Sequence, residues 1–454
     1  MSSEPTLLTN STLICGDEDG QVLEDHALLL RDGQIAAMGP SQRMRETHPD
    51  VDDIDLHGQL ILPGGICAHT HFYGAYARGM AIPGPAPVNF PQILRRLWWP
   101  LDRSLSADAV RLSALVSALD AIRHGTTTLF DHHASPACVA YSLDHIAAAL
   151  EAAGLRGILC YEVSDRDGPA AAEAGIAENL RFLREAKQKP LLSAMFGLHA
   201  SMTLSEETLR RCVAAESNAG FHIHVAEHEA DQEDSLERYG CRVVERLHRA
   251  AVLRPNSIIA HAVHTTEEEH EILARNRTWV SHQPRSNMNN AVGAMAWDSM
   301  LERGIRLCLG NDGFSNNMWA EWKAAYLLQK VVTRDARKAD GADIATVAMR
   351  HNAALTQPHF PDRPIGCLAV GAAADLIVVD YQPFTPLTAG NFPWHVLFGF
   401  ESSLVTHTMV AGKWLMRDRQ VLTLDEKEIQ REALALAPAI WQEYEKRARE
   451  ELDH

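Results

Sequence analysis

Two histidines one residue apart, His69 and His71 in AHTHFYG, are the first residues of this chain whose spacing points to chemistry. Alternate side chains of a strand share a face, so imidazoles at i and i+2 can meet on one cation. Alone the pair is a weak signal, because a histidine at a strand end is more often a satisfied structural group. The spacing returns in FHIHVAE as His222 and His224, with Glu227 three residues on, and a carboxylate stands at Asp312 in LGNDGFSNN. His224, nearer the strand end, is the expected ligand, and His222 is assigned to support or core. His69, His71, His224 and Asp312, with an open position for water, describe a hydrolytic metal site. A nitrogen-rich set with one carboxylate suits Zn2+ first and Fe2+ or Mn2+ as well.

A divalent ion lowers the pKa of its water from about 16 to about 7, so hydroxide exists at neutral pH. The attack still needs proton management. Glu227 stands just beyond the His224 strand and can relay a proton to a ring or leaving nitrogen; its alternative reading is a salt-bridged loop carboxylate. His261, in IIAHAVH, can orient the hydroxide or stabilise a developing oxyanion, and Asp312 can also accept the water proton.

These residues need a scaffold that brings distant strand ends together. Short apolar runs alternate with longer amphipathic stretches, the pattern of βα units around a parallel sheet. Eight runs stand out: Leu60 to Ala68, Thr126 to Phe130, Arg156 to Tyr161, Leu191 to Leu198, Phe221 to Val225, Ser257 to Ala260, Thr278 to Ser281 and Arg306 to Gly310. The stretches between them, such as Ala107 to Arg123, Glu206 to Ala219 and Ala320 to Lys338, are long enough for crossover helices. The expectation is an α/β protein, a (β/α)8 TIM-like barrel over residues 61–362, with a doubly wound open sheet as the alternative. Each run ends at a polar or ionisable residue: His69 and His71, Asp131 and His132, Glu162, His199, His224 with Glu227, His261, His282 and Asp312. In a barrel these ends share one face. Residues 1–60 and 363–424 have the texture of short alternating strands, read as two halves of a small composite β-sandwich, and 425–454 read as a C-terminal helix.

The bulk properties narrow the partners. With 42 Lys and Arg against 59 Asp and Glu, the net charge of −17 and the lack of a basic stripe argue against nucleic acid and anionic membranes. No membrane-length apolar stretch or leader pattern is seen, so a cytoplasmic protein with a small-molecule substrate is expected. Eight scattered cysteines offer neither a disulfide framework nor a thiolate zinc site.

The strings HTH, HVAE, IAHAVH, SHQPRSN and GNDG resemble the amidohydrolase superfamily. Position by position, the resemblance implies His69, His71, His224 and Asp312 as ligands, Glu227 as proton shuttle and His261 as catalytic histidine. HFYGAYARG, LRRLWWPLDRSL, DHHASP, PRSNMNNAVG and FTPLTAGN are similar to the SsnA-type aminohydrolases, in the branch holding cytosine and guanine deaminases and triazine hydrolases. That branch implies deamination of a purine-, pyrimidine- or triazine-like heterocycle, and a dimer or tetramer. Opening of a cyclic amide is the alternative; an inactive assembly subunit is less expected, since every ligand is retained. Binuclear members use a lysine on the fourth strand, but here LLSAMFGLH has none, so one metal ion is expected.

His199 is read as either substrate-contacting or structural. Glu162, Asp131, His132 and His133 end strands two and three and either line the pocket or, for Asp131, cap a helix. Arg78, Trp98 and Trp99 follow the first strand, where an aromatic wall would suit a planar ring and helix packing is the plainer reading. Ser286 and Asn287 match the family's seventh-strand motif, which more often braces a loop; His264 and His282 are weaker candidates. The proline-rich segment Ala81 to Pro91 is read as a loop over the active face.

Overall fold

The computed structural model describes residues 4–17, 20–215 and 218–452; the end of the expected Glu206 to Ala219 helix and the extreme termini fall partly outside them. The amphipathic stretches fold as helices packed outside a ring of parallel strands. The strands are β1 (Thr6–Ile14), β2 (Val22–Arg31), β3 (Gln34–Pro40), β4 (Asp52–Asp55), β5 (Leu60–Pro63), β6 (Gly65–Thr70), β7 (Thr126–His133), β8 (Arg156–Tyr161) and β9 (Leu192–Ala194). Then follow β10 (Phe196–Ala200), β11 (Phe221–Val225), β12 (Ile258–His261), β13 (Trp279–His282), β14 (Arg306–Leu309), β15 (Leu376–Val379), β16 (Val405–Val410), β17 (Lys413–Arg417) and β18 (Gln420–Val421).

Two parallel arcs, β6-β7-β8-β9 and β10 to β14, make the barrel. They join through the fourth strand, which breaks at Met195 because its two halves pair differently, β9 with β8 and β10 with β11. Beyond the break β10 still runs against the end of β8: Val163 N donates to Gly197 O at 3.2 Å and His199 N to Val163 O at 2.9 Å. A Cβ on Gly197 would lie 2.3 Å from Tyr161 O, so only glycine permits this approach. The ring closes where Asn311 and Asp312 donate to His69 O and His71 N donates to Asp312 O. Gly310 is required there, since a Cβ would meet His69 O at 2.6 Å.

Ile66, Phe130, Ile158, Met195, Ile258, Trp279 and Cys308 form one buried cluster, while alternate residues such as Cys67, Leu129, Leu159, Ile223, Ile259, Val280 and Leu307 join the main core shared with the helices. The period-2 alternation thus separates barrel filling from helix packing. At β6 the alternation is interrupted. The register runs Cys67 to Leu129 and then Thr70 to Asp131, three residues against two. This bulge switches the strand's facing, so His69 and His71 follow Ile66 and Ala68 into the interior.

The expected first strand, Leu60 to Ala68, is in fact two strands. β5 leaves the barrel at Gly64 and pairs with β15 (Leu60↔Val379, Leu62↔Ile377), and only β6 belongs to the ring. β5 is thereby the seam of a nine-stranded sheet, β18-β17-β16-β15-β5-β1-β2-β3 with β4 on β1, built from both ends of the chain. Leu8, Leu13, Leu28, Ile61, Leu376 and Val378 pack on one of its faces and Leu7, Ala27, Leu29 and Met44 in a separate cluster. A buried ion pair, Arg156 Nε to Asp375 Oδ2 at 2.5 Å, ties β8 to this sheet. Among the described residues no helix is long and apolar enough to cross a membrane.

Candidate metal centre and cavity

His69 and His71 (after the β6 bulge), His224 (β11), His261 (β12) and Asp312 (beyond β14) meet at the C-terminal mouth of the barrel. His71 Nδ1 lies 2.5 Å from His132 O and His224 Nδ1 2.8 Å from His199 O. A carbonyl only accepts, so each Nδ1 carries the proton and each Nε2 is left with a lone pair. Yet those two Nε2 atoms face each other at 3.2 Å. Asp312 Oδ1 adds a further acceptor, 2.9 Å from His71 Nε2 and 3.3 Å from His69 Nε2, and the buried His69 Nε2 has no hydrogen-bond partner. Acceptors converging without a donor call for a cation. Single atoms of His69, His224, His261 and Asp312, and of His69, His71, His132 and His224, lie within 4.8 Å of one another, so the donor set fits a divalent ion.

Each ligand candidate is held from behind. His222 Nε2 is 2.9 Å from His69 Nδ1, and Glu162 Oε1 is 3.3 Å from His71 Nδ1. Burial opposes the charge on Asp312, but the imidazoles of His69 and His71 set against it outweigh burial and hold the carboxyl well below its usual range. For Glu162 the same contest, with His71 and His199 opposing burial, ends at about 2. Glu227 behaves oppositely: burial, reinforced by Asp312, pushes its carboxyl well above the carboxylate range. Its Oε2 is 3.4 Å from His261 Nε2. His261 Nδ1 is bound to Asn287 Oδ1 at 2.8 Å, which leaves Nε2 as the free nitrogen, and burial lowers this imidazole to about 4. The backbone at His261 has φ +73°, a strained value for a non-glycine residue, which turns the ring inward where strand alternation would point it out.

A cavity of about 780 Å3, including its open mouth, rises above these groups. His71, His224, Glu227 and Asp312 form its floor; Tyr73, Phe90, Pro91, Leu94, Trp98 and Trp99 form an aromatic and apolar wall. The end of the proline-rich segment therefore stands over the active face. His199 and Trp98 line the cavity. Glu162 does not: it lies buried behind His199, 3.6 Å from its Nε2, and 3.4 Å from His132 Nδ1. Arg78 is turned away. The 3-10 turn Phe72–Ala77 spends its inward positions on Phe72, Tyr73 and Tyr76 and leaves Arg78 exposed outside the cavity. His282 also misses the cavity, wholly buried beside Trp297 at 5.7 Å between ring centres. Asp131 accepts from Phe72 N at 2.8 Å and fixes the start of that turn, His133 bonds Ser135, and His264 bonds Val292 O.

Five further cavity residues carried no expectation. Asp231 accepts from both Ala226 N and Met202 N at 2.9 Å and so locks the loop before Glu227. Asn290 donates to Glu227 Oε1 at 3.4 Å. Asp102 pairs with Arg166 at 2.8 Å, although burial still raises its carboxyl to about 6, and Arg166 stacks on Trp99. Met202 and His228 complete the rim. The i+4 spacing from Ser286 to Asn290 was the one readable signal among them.

The sequence model described as "Amidohydrolase family" matches residues 60–415. The chain is 30% identical over 443 residues to the 5-methylthioadenosine/S-adenosylhomocysteine deaminase of Syntrophobacter fumaroxidans, covering 96% of this chain and 98% of the relative. It is 30% identical over 435 residues to the 5'-deoxyadenosine deaminase of Methanosarcina mazei, covering 94% and 96%. Among solved structures, an adenosine deaminase from Xanthomonas campestris with bound zinc superposes with a TM-score of 0.82 at 23% identity, over 98% of each chain.

Proposed function

The chain belongs to the amidohydrolase family, and from that premise we propose that it is an aminohydrolase removing an amino group from a nitrogen heterocycle, with His69, His71, His224 and Asp312 holding one divalent ion. The observation that carries the reading is the meeting of His71 Nε2, His224 Nε2 and Asp312 Oδ1 as acceptors with no donor between them. Zinc is the ion of choice, by the donor chemistry and because the Xanthomonas campestris structure holds zinc. Such an ion supplies a water acidified to about pKa 7.

The chain's own residues do the rest. Glu227, whose carboxyl burial holds well above the usual carboxylate range, takes the water proton at a carboxylate oxygen and returns it to the leaving nitrogen. His261 presents Nε2 across from Glu227 and orients the attacking oxygen. Trp98, Trp99 and Phe90 offer flat apolar faces to a planar ring and keep bulk water from it, and His199 faces the same space. The named activities of the two relatives put purine nucleosides with a modified 5' position first among substrates to try.

The test is an ammonia-release screen of the zinc-loaded protein against purine nucleosides, free purines, pyrimidines, pterins and triazines. Ammonia with the corresponding keto product is expected from at least one class. A product bearing a new carboxylate without ammonia, or no reaction throughout, would sink the reading.

A further inference from the structure

We propose that the short helix Pro284–Asn289, with Asn290 at its end, is a single brace that sets Asp312, His261 and Glu227 relative to one another, and that Asn290 is the positioning residue for Glu227. The proposal rests on the metallohydrolase reading above. The three braced groups come from the ends of three different strands or just past them, β14, β12 and β11, and β-sheet pairing alone does not fix their side chains. One helical turn reaches all three. Ser286 Oγ donates to Asp312 Oδ2, Asn287 Oδ1 accepts from His261 Nδ1 at 2.8 Å, and Asn290 Nδ2 donates to Glu227 Oε1 at 3.4 Å. Their spacing of i, i+1 and i+4 puts them on one side of the helix.

The brace is itself anchored. Asn290 N donates to Ser286 O at 2.8 Å and Asn290 Nδ2 also reaches Ser286 Oγ at 3.3 Å. Asn289 Nδ2 donates to Asn290 Oδ1 at 3.1 Å, which orients the amide so that its NH2 group points at Glu227. Arg285, clamped by Glu321 Oε1 at 2.6 Å and Ser315 O at 2.7 Å, joins the same helix to the loop that follows Asp312. Gln283 Oε1 accepts from His261 N at 3.1 Å, so that residue is held by backbone and by ring. Ser286, Asn287 and Asn290 are all buried. A shuttle that must reach two reacting atoms in turn gains from such fixing, since efficiency falls steeply with misplacement.

The experiment compares Asn290→Ala and Asn290→Asp with the wild type for kcat, KM, metal content and melting temperature on whichever substrate releases ammonia. N290A is expected to lose about tenfold in kcat, the size of one hydrogen bond to a charged group, with KM within about twofold and full metal content. N290D is expected to be worse than N290A: it keeps the volume but removes the donor and sets a like charge beside Glu227. A packing role predicts the reverse order, because Asp fills the space that Ala empties, so N290D above N290A, or either at wild-type kcat, overturns the proposal. If N290D does not fold, N290S, which restores a donor, must exceed N290A. Ser286→Ala tests the other prong without turnover: zinc affinity should fall about 10–100-fold by titration, and an unchanged affinity overturns the shared brace. A wild-type protein that binds zinc but releases no ammonia refutes the function reading, while the zinc titration still judges the brace.

Discussion

The floor and the wall of the cavity are fixed in different ways. At the floor, His71, His224 and Asp312, with the buried His69 beside them, sit at barrel strand ends, and the second nitrogen of each ring is tied to a carbonyl or to another ring. The wall, Phe90, Leu94, Trp98 and Trp99, stands on short helical turns between β6 and the Ala107–His124 helix, with no strand beneath it. What holds the wall comes from outside. Trp441 Nε1 donates to Tyr76 O at 3.0 Å, Tyr444 OH to Arg96 O at 2.9 Å, and Arg103 pairs with Glu451 at 2.8 Å, all from or beside the C-terminal helix Glu426–Glu450. Floor and wall should therefore fail separately: damage to one changes the reaction, damage to the other changes what is bound.

The largest effect belongs to the floor. Asp312→Ala removes the carboxylate that faces both His69 and His71. Metal content should drop from about one ion per chain to near zero by elemental analysis, with turnover undetectable. An Asp312→Ala protein with its metal retained would break the assignment of that side chain.

Next comes Glu227→Gln, which keeps size but cannot carry the proton. A loss of roughly 10²–10⁴-fold in kcat is expected, with metal retained and KM little changed. The pH profile carries the same claim. Burial raises the Glu227 pKa, and in the proposed reaction it is the ionised form that takes the water proton. Activity is therefore lost as pH falls through that raised value, and the acid limb of kcat/KM should lie well above the ordinary carboxylate range. A limb near pH 4.5 would count against Glu227 as the base.

The same division decided what could be read from the sequence. The floor was legible because its chemistry is written in spacing, HTH, HIHVAE and GNDG, at the ends of apolar runs. The barrel followed from those runs, but Leu60 to Ala68 concealed a change of sheet at Gly64, since a continuous apolar run carries no mark of its hydrogen-bond partners. Nor does sequence reveal the extra residue in β6 or the left-handed backbone at His261, both of which turn rings inward. The wall was only half legible. Trp98 stood out by type, but Arg78, a residue type that often meets substrates, points to the outside because the turn before it uses its inward positions for aromatic rings. Asp102 with Arg166, and Asp231 on two backbone amides, are long-range pairings that no local pattern announces.

A smaller effect is expected on the wall. Trp98→Ala removes a ring packed against Tyr73 at 6.3 Å between centres and facing the cavity. KM should rise roughly tenfold, the size of one aromatic contact, with kcat within a few-fold and metal content unchanged. An equal fall in kcat with KM constant would mean that the wall also aligns the reacting atoms, and would weaken the separation of the two regions.

The mildest change probes the support behind the wall. Tyr444 is buried, and its hydroxyl donates to Arg96 O, inside the turn that carries Trp98. Tyr444→Phe keeps the ring and removes only that bond, leaving a carbonyl without its donor, at about 1 kcal/mol of stability. Because the lost bond is to the turn that carries Trp98 and to none of the metal-site residues, KM should rise two- to threefold, about half of that hydrogen bond's worth, while kcat and zinc affinity stay at wild-type values. The useful comparison is with Trp98→Ala in the double variant. If the C-terminal helix acts through the wall, the two effects on KM should be less than additive, since a wall already missing Trp98 has less to lose when Arg96 shifts. Full additivity would show that the helix stabilises the fold without shaping the cavity.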